Sequence, residues 1–181
     1  HLQVISEQTD RLENLVKDMI DLSKLQAKTM VFNKSEFDLS EALLGLEENY
    51  KIRYNKEGYD FKFKIAKGVK INADKQRIEQ VIMNLINNAI NYSKDNKNIQ
   101  VNLRREKDHI FLDVIDHGMG ISEKDLPEIF ERHFRSINSQ RATVGSGVGL
   151  TIVKEILDFH GYKISVKSKE NVGSTFTIEF N

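Results

Sequence analysis

Three short stretches hold residue types whose spacing could do chemistry. Asp116-His117-Gly118-Met119-Gly120 sets a carboxylate beside two glycines at alternate positions, at the end of an alternating apolar run. A carboxylate accepts hydrogen bonds and bare backbone lets a flat or anionic ligand come close, although a plain tight turn uses the same residues. Asn84, Asn88 and Asn91 fall at i, i+4 and i+7, so a helix would line three amides along one stripe. Amide oxygens bind a hard cation such as Mg²⁺ directly or through its waters; a solvated flank is the other reading, and the one Asn87 invites. Gly145-Ser146-Gly147-Val148-Gly149-Leu150 leads straight into a helical pattern. Free N–H groups and the helix dipole there attract anions by about 0.3–1 kcal/mol per charge, which suits phosphate, while a bare loop-to-helix junction is the alternative. It is neither of the commonest phosphate loops, because no Gly-Lys-Ser/Thr follows and the glycines alternate as G-x-G-x-G.

Each stretch needs an element to hold it. Ile110, Leu112 and Val114 alternate, which predicts a strand delivering Asp116, paired through the 106–108 turn with a strand over Ile99, Val101 and Leu103. Asp74 is placed to cap a long helix from Lys75 to about Tyr92, whose apolar face is Ile78, Val81, Ile82, Leu85, Ile86 and Ala89. Gly147 to Phe159 reads as a helix closed by His160-Gly161, after a loop over 132–146. Asp38 with Glu41 opens another helix to about Asn55, and Ser122 a short one carrying Leu126 before Pro127. Phe61-Phe63-Ile65, Val69–Ile71, Lys163–Ser168 and Ser174–Phe180 complete about six strands. The order predicts an α+β, two-layer sandwich with one mixed, mainly antiparallel sheet under three helices.

A long amphipathic helix precedes this domain. Ile5, Leu12 and Met19 recur every seven residues, Leu15 and Leu22 form a second row, and Val16, Ile20 and Leu25 widen the stripe. Such a stripe is expected to pack on a partner chain or on a helix outside the sequence; folding back on the domain is the alternative. The expected boundary divides residues 1–30 from residues 31–181.

Composition narrows the classes. The 181 residues suit one full-sized domain with an appendage. Lys+Arg and Asp+Glu balance at 27 each, so no overall basic field draws nucleic acid or anionic lipid. With no cysteine, disulfides and Cys-ligated metals are excluded, and a reducing compartment fits. No apolar run reaches about 18 residues, and the N-terminus lacks a signal-peptide shape, so the chain reads as soluble.

Taken in order, the Asn-rich helix, D-x-G-x-G, the paired Phe130 and Phe134, G-x-G-x-G-L and Gly173-Ser174-Thr175-Phe176 resemble the nucleotide-binding boxes of sensor histidine kinases. The resemblance runs from about Asn33 to the end, and Gln3 to Ala27 is similar to the second helix of that family's dimerisation and phosphoacceptor hairpin. It implies a Bergerat-type ATP-binding fold that uses ATP and Mg²⁺. By that likeness Asn88 coordinates Mg²⁺ and Asn84 supports the phosphates or metal, the two forming the catalytic pair. Asp116 accepts from the adenine amino group, Gly118 and Gly120 let the base approach with Ile121 beside them, and Tyr92 stacks by the ring. Phe130 starts the lid, with Phe134 and Arg135 one turn on. Gly145, Ser146, Gly147, Val148, Gly149 and Leu150 wrap the phosphates, and Ser174 and Thr175 close the pocket from below.

The same likeness implies γ-phosphoryl transfer to a histidine, relay to a response-regulator receiver domain, homodimerisation through the N-terminal helix, and a cytoplasmic position in a membrane-anchored bacterial sensor. Departures from the pattern matter. Asn91 stands where Lys, Arg or His is usual, which removes a cation near the phosphates. His117 and Tyr162 replace commoner residues, with His117 expected to face out and Tyr162 to be structural. No His-Glu box with a following Pro occurs, since Pro127 is the only proline, so no phosphoacceptor is expected here; His109, His133 and His160 read as turn, lid and helix-end residues. ATPases of the broader superfamily carry a water-activating glutamate where this chain has Asn84, which disfavours hydrolysis. A nucleotide-binding switch without transfer is the remaining alternative.

Overall fold

Two aspartates start the helical layer. In the computed structural model, which describes residues 2–93, 95–131 and 147–181, with side chains except at 2–11 and 14, Asp38 accepts the Glu41 N–H at 3.1 Å and opens α2 (Leu39–Tyr54). Asp74 accepts the Arg77 N–H at 3.1 Å and opens α3 (Lys75–Tyr92). Each carboxylate satisfies an N–H that a helix start leaves without a partner, which contributes about 1 kcal/mol. At the other ends, α2 passes through one 3-10 turn and stops at left-handed Gly58, φ 75°. The helix α4 (Gly149–His160) stops at Gly161, φ 76°, with the Gly161 and Tyr162 N–H groups returning to the Asp158 and Leu157 carbonyls. The short helix expected at Ser122 is a turn instead, leading to a 3-10 turn at Leu126–Glu128.

The strands are β1 (Ser35–Asp38), β2 (Asp60–Ile65), β3 (Lys70–Ala73), β4 (Asn98–Glu106), β5 (His109–Asp116), β6 (Lys163–Lys169) and β7 (Gly173–Phe180). Five of them form one sheet in the order β2-β4-β5-β7-β6, parallel only between β2 and β4. The expected single sheet is corrected on one point: β3 leaves it and pairs antiparallel with β1, a strand the sequence pattern did not disclose. The first turn of α2 causes this. Ser40 Oγ donates to the Ala66 carbonyl at 2.7 Å and accepts the Val69 N–H at 2.9 Å, while the Leu39 N–H reaches the Val69 carbonyl at 2.8 Å. Those bonds turn the chain away after β2, before β3 could join it.

One face of the larger sheet is covered. Ile99, Val101, Leu103, Leu112, Val114, Phe176, Ile178 and Phe180 are buried against the apolar faces of α3 and α4, notably Ile82, Leu85, Ile152 and Ile156. Each such side chain contributes about 1.5–3 kcal/mol on burial. The opposite face carries Lys62, Lys64 and Lys167 and the ion pair of Arg104 Nε with Asp113 at 3.2 Å, the usual one-sided antiparallel pattern.

Helix α1 (Leu2–Gln26) divides its stripe between two environments. Leu22 and Leu25 are buried in the domain core, and Asp21 takes hydrogen bonds from Arg77 Nη1 and Gln80 Nε2, both at 2.9 Å. Leu12, Val16, Met19 and Ile20 stay exposed. The expectation that the stripe packs away from the domain is therefore corrected for its last turns, which fold back on it. Beyond left-handed Lys28 the chain returns along the domain. Phe32 stacks on Phe159 at 3.8 Å, and the Asn33 N–H reaches Asp74 Oδ2 at 2.8 Å. His160 completes this joint: Nδ1, 2.7 Å from the Ile156 carbonyl, carries the ring proton and leaves Nε2 to accept the Asp74 N–H at 3.1 Å.

Candidate functional site

Strand β5 delivers Asp116 at its last position, opposite Ser174 of β7. The residue is only 7% exposed, and its carboxylate accepts the Gly118 N–H at 2.9 Å. Burial pushes its pKa above the ordinary carboxylate value, while the Gly118 N–H, the Ser174 N–H and hydroxyl, and the His117 charge act against that rise. Asp116 is thus a desolvated acceptor held by the Gly118 N–H, with Ser174 across the ladder from it.

Three pieces of backbone meet beside it. A Cβ at Gly118 would lie 1.9 Å from the Tyr92 carbonyl oxygen, and one at Gly120 would lie 2.0 Å from the Lys169 carbonyl oxygen. The close approach expected between these glycines and a ligand is, on that side, an approach to the chain's own backbone. Hydrogen bonds close the same junction: Met119 N–H to the Tyr92 carbonyl at 3.0 Å, Asn171 N–H to the Met119 carbonyl at 2.7 Å, and Ile121 N–H to Ser168 Oγ at 2.8 Å. These bonds tie together the end of α3, the 117–121 loop and the β6–β7 turn. His117 is exposed, as expected, and Tyr162 is buried with its hydroxyl on the Asn72 carbonyl at 3.1 Å.

The amide stripe runs up α3 from this junction. Asn84, Asn88, Asn91 and Tyr92 are all half-buried. Asn84 Nδ2 donates to the Gly149 carbonyl at 3.3 Å, which ties the stripe to the first residue of α4. No side-chain hydrogen bond to Asn88 forms among the described residues. Asn87, expected to be merely solvated, is exposed but accepts the Tyr50 hydroxyl at 2.9 Å.

At the start of α4, Gly147 is left-handed at φ 71°, and among the described residues no side chain caps the helix. The half-buried Gly149 and Leu150 begin the first turn behind buried Val148. Thr151 Oγ1 donates to the Glu131 carbonyl at 3.3 Å and holds this turn against the segment of half-buried Phe130. Half-buried Ile121 packs against the core nearby.

Not every expected residue converges here. Thr175 lies on the opposite face of β7 from Ser174, because successive strand residues alternate. Phe134, Arg135, Gly145 and Ser146 lie outside the described residues. Ser168, which no sequence motif singles out, meets Ser174 only in the fold, with 2.9 Å between the hydroxyls. Among the described residues, no group of three or more His, Cys, Asp or Glu is placed to hold a metal. An amide such as Asn88, together with oxygens of a bound phosphate, is the donor set that fits Mg²⁺.

Set beside known proteins, residues 73–181 match the family described as histidine kinase-, DNA gyrase B-, and HSP90-like ATPase. The chain is similar to the sensor histidine kinase YvrG of Bacillus subtilis (strain 168), at 30% identity over 180 residues, which is 98% of this chain and 31% of that protein. It spans less than half the length of the curated relatives it matches. Histidine kinase ThkA, solved in complex with the response regulator protein TrrA, superposes with TM-score 0.74 at 28% identity over 98% of this chain and 49% of that one. Full-length ShkA in complex with AMPPNP shares the fold, with TM-score 0.83 at 22% identity over 98% of this chain and 37% of that one.

Proposed function

The chain belongs to the family of histidine kinase-, DNA gyrase B- and HSP90-like ATPases, and on that footing we propose that it binds Mg-ATP and donates the γ-phosphoryl group within a sensor histidine kinase. The observation that carries this reading is the buried Asp116 carboxylate, held by the Gly118 N–H at the same end of the domain as Asn88 and the start of α4. An ionised carboxylate accepts the exocyclic amine of adenine; guanine would bring a carbonyl to that place and be repelled. Tyr92 would cover the base. The N–H groups at Gly147, Gly149 and Leu150, with Gly145 and Ser146, would receive the phosphates. Asn88 would hold Mg²⁺ with Asn84 behind it, and the ion, when bound, neutralises phosphate charge.

Transfer of this kind is mostly positioning and charge neutralisation, so backbone donors and amides suffice. With Asn84 in place of a carboxylate one turn before Asn88, nothing there takes a proton from water, and the phosphoryl group is kept for a histidine outside this chain. That histidine's phosphoryl group would then pass to an aspartate of a response regulator, the kind of partner seen with ThkA. The exposed α1 residues Leu12, Val16, Met19 and Ile20 would meet the rest of a dimeric hairpin in a longer, membrane-anchored protein; no described helix is itself long and apolar enough to cross a membrane. Asn91 favours a second reading, a nucleotide-binding switch without transfer. To separate the two, a dimeric hairpin carrying a phosphoacceptor histidine is supplied and label followed from γ-labelled ATP. Label should reach the hairpin and vanish with Asn88→Ala or Asp116→Ala; nucleotide bound without transfer sinks the kinase reading.

A further inference from the structure

We propose that His160 is a proton-operated latch on the strap between α1 and β1, residues 30–34: the neutral ring holds the strap closed, and the charged ring lets it go. Three strap residues converge on the end of α4. Phe32 stacks on Phe159 at 3.8 Å and stands edge-on to the His160 ring, 5.3 Å away at 86°. The Asn33 N–H reaches Asp74 Oδ2 at 2.8 Å. Lys34 Nζ lies 4.8 Å over the Phe159 ring and donates to the Phe159 carbonyl at 3.5 Å. His160 follows directly, with its ring stacked on Tyr162 at 5.9 Å.

Only a neutral ring fits this place. A carbonyl cannot donate and a backbone N–H cannot accept, so Nδ1 carries the proton toward Ile156 and Nε2 must be bare to take the Asp74 N–H. A second proton, on Nε2, would set two donors against each other across 3.1 Å. The acceptor that Asp74 offers instead is its carboxylate, whose Oδ1 takes the Arg77 N–H in the first turn of α3 and whose Oδ2 takes that of Asn33. The imidazolium therefore competes with the strap for Oδ2, and a charged donor is the stronger of the two. It also repels the Lys34 ammonium. Burial is the main influence against a charge on the ring; of the charged groups acting on it among the described residues, Lys34 adds to that influence and Asp74 opposes it. Burial raises the pKa of the stacked Tyr162, which stays neutral throughout. Once the strap opens, water reaches the ring, so the open state takes up a proton that the closed state refuses. Closing is fully favoured above about pH 6.5 and weakens by up to about tenfold per pH unit below it, until the closed ring is itself charged. Leu22 and Leu25 keep the last turns of α1 in the core, so acid frees the strap without detaching the helix.

The test uses the full chain. Because it has no cysteine, spin labels can be attached through Val31→Cys on the strap and Ile52→Cys on α2, both exposed positions. The distance between the labels is followed from about pH 7.5 to about pH 5, while His160 is titrated by ring-carbon NMR and the fold is monitored by circular dichroism. A single narrow distance should give way to a broad distribution at the pH where His160 takes its proton, with the helical signal unchanged. His160→Gln, which keeps an acceptor and takes no charge, should hold the narrow distance across the range. A distance that stays narrow while His160 becomes charged overturns the proposal. So does a His160 that stays neutral until the whole chain unfolds, or a His160→Gln chain that broadens at the same pH as the native one. Should His160→Gln not fold, the native chain still decides, since strap opening and ring titration must share one midpoint.

Discussion

Replacing Asp116 by asparagine keeps an oxygen for the Gly118 N–H but turns an acceptor-only group into one that also presents a donor to the adenine amine. A hydrogen bond to a charged group contributes about 1.5–3 kcal/mol, so Asp116→Asn should weaken ATP binding roughly ten- to a hundredfold with the fold intact. Calorimetry showing native affinity would remove Asp116 from the site. Asn91, half-buried on the same stripe as Asn88, offers the opposite experiment. Asn91→Lys should restore a cation near the phosphates and tighten ATP several-fold, an effect that salt diminishes; equal or weaker binding contradicts it. Both residues were legible because their motifs are local: an aspartate before alternating glycines, and amides one helical turn apart. The meeting of Ser168 with Ser174 was not, nor was the use Gly118 makes of its missing side chain. Those roles depend on backbone arriving from Tyr92 and from the β6–β7 turn, and no local pattern announces such a meeting.

Among the elements, α3 sets the site, and its first turn is held by Asp74 while its last carbonyl holds Met119. His160 accepts the Asp74 N–H only when neutral, and burial holds its pKa below the ordinary value. The folded state therefore binds fewer protons than the unfolded chain between the folded value and about 6.5. His160's contribution is full above the unfolded value and is lost as pH falls through the folded one. Urea denaturation at about pH 7.5 and about pH 5.5 should show that loss. His160→Gln, which keeps an acceptor and cannot be charged, should flatten it; an identical pH slope would exclude His160 as its source. The caps and apolar periods made α2, α3 and α4 readable from the sequence. Strand β1 was unreadable, since four residues of mixed polarity show no alternation, and its pairing with β3 depends on where Ser40 turns the chain.

At the scale of the molecule, one helix serves two surfaces. The seven-residue period of α1 revealed its stripe but not what covers each part, and Leu22, expected among the exposed residues, lies in the domain core with Leu25. Leu22→Ala and Leu25→Ala should each cost about 2–4 kcal/mol in unfolding experiments. Leu12→Ala and Met19→Ala, on the same helix, should stay within about 0.5 kcal/mol. Equal costs along the whole stripe would mean that the domain covers all of it. The joint behind Leu25 has a consequence for slow dynamics. One carboxylate, Asp74, receives the Asn33 amide on one oxygen and the Arg77 amide on the other, while its own amide is held by His160. Freeing the segment after α1 strands a largely buried charge, so it should not fray one bond at a time. In native-state hydrogen exchange the amides of Asn33, Asp74 and Arg77 should share a single opening free energy. If the Asn33 amide exchanges freely while Arg77 stays protected, the segment opens independently of the helix that carries the amide stripe.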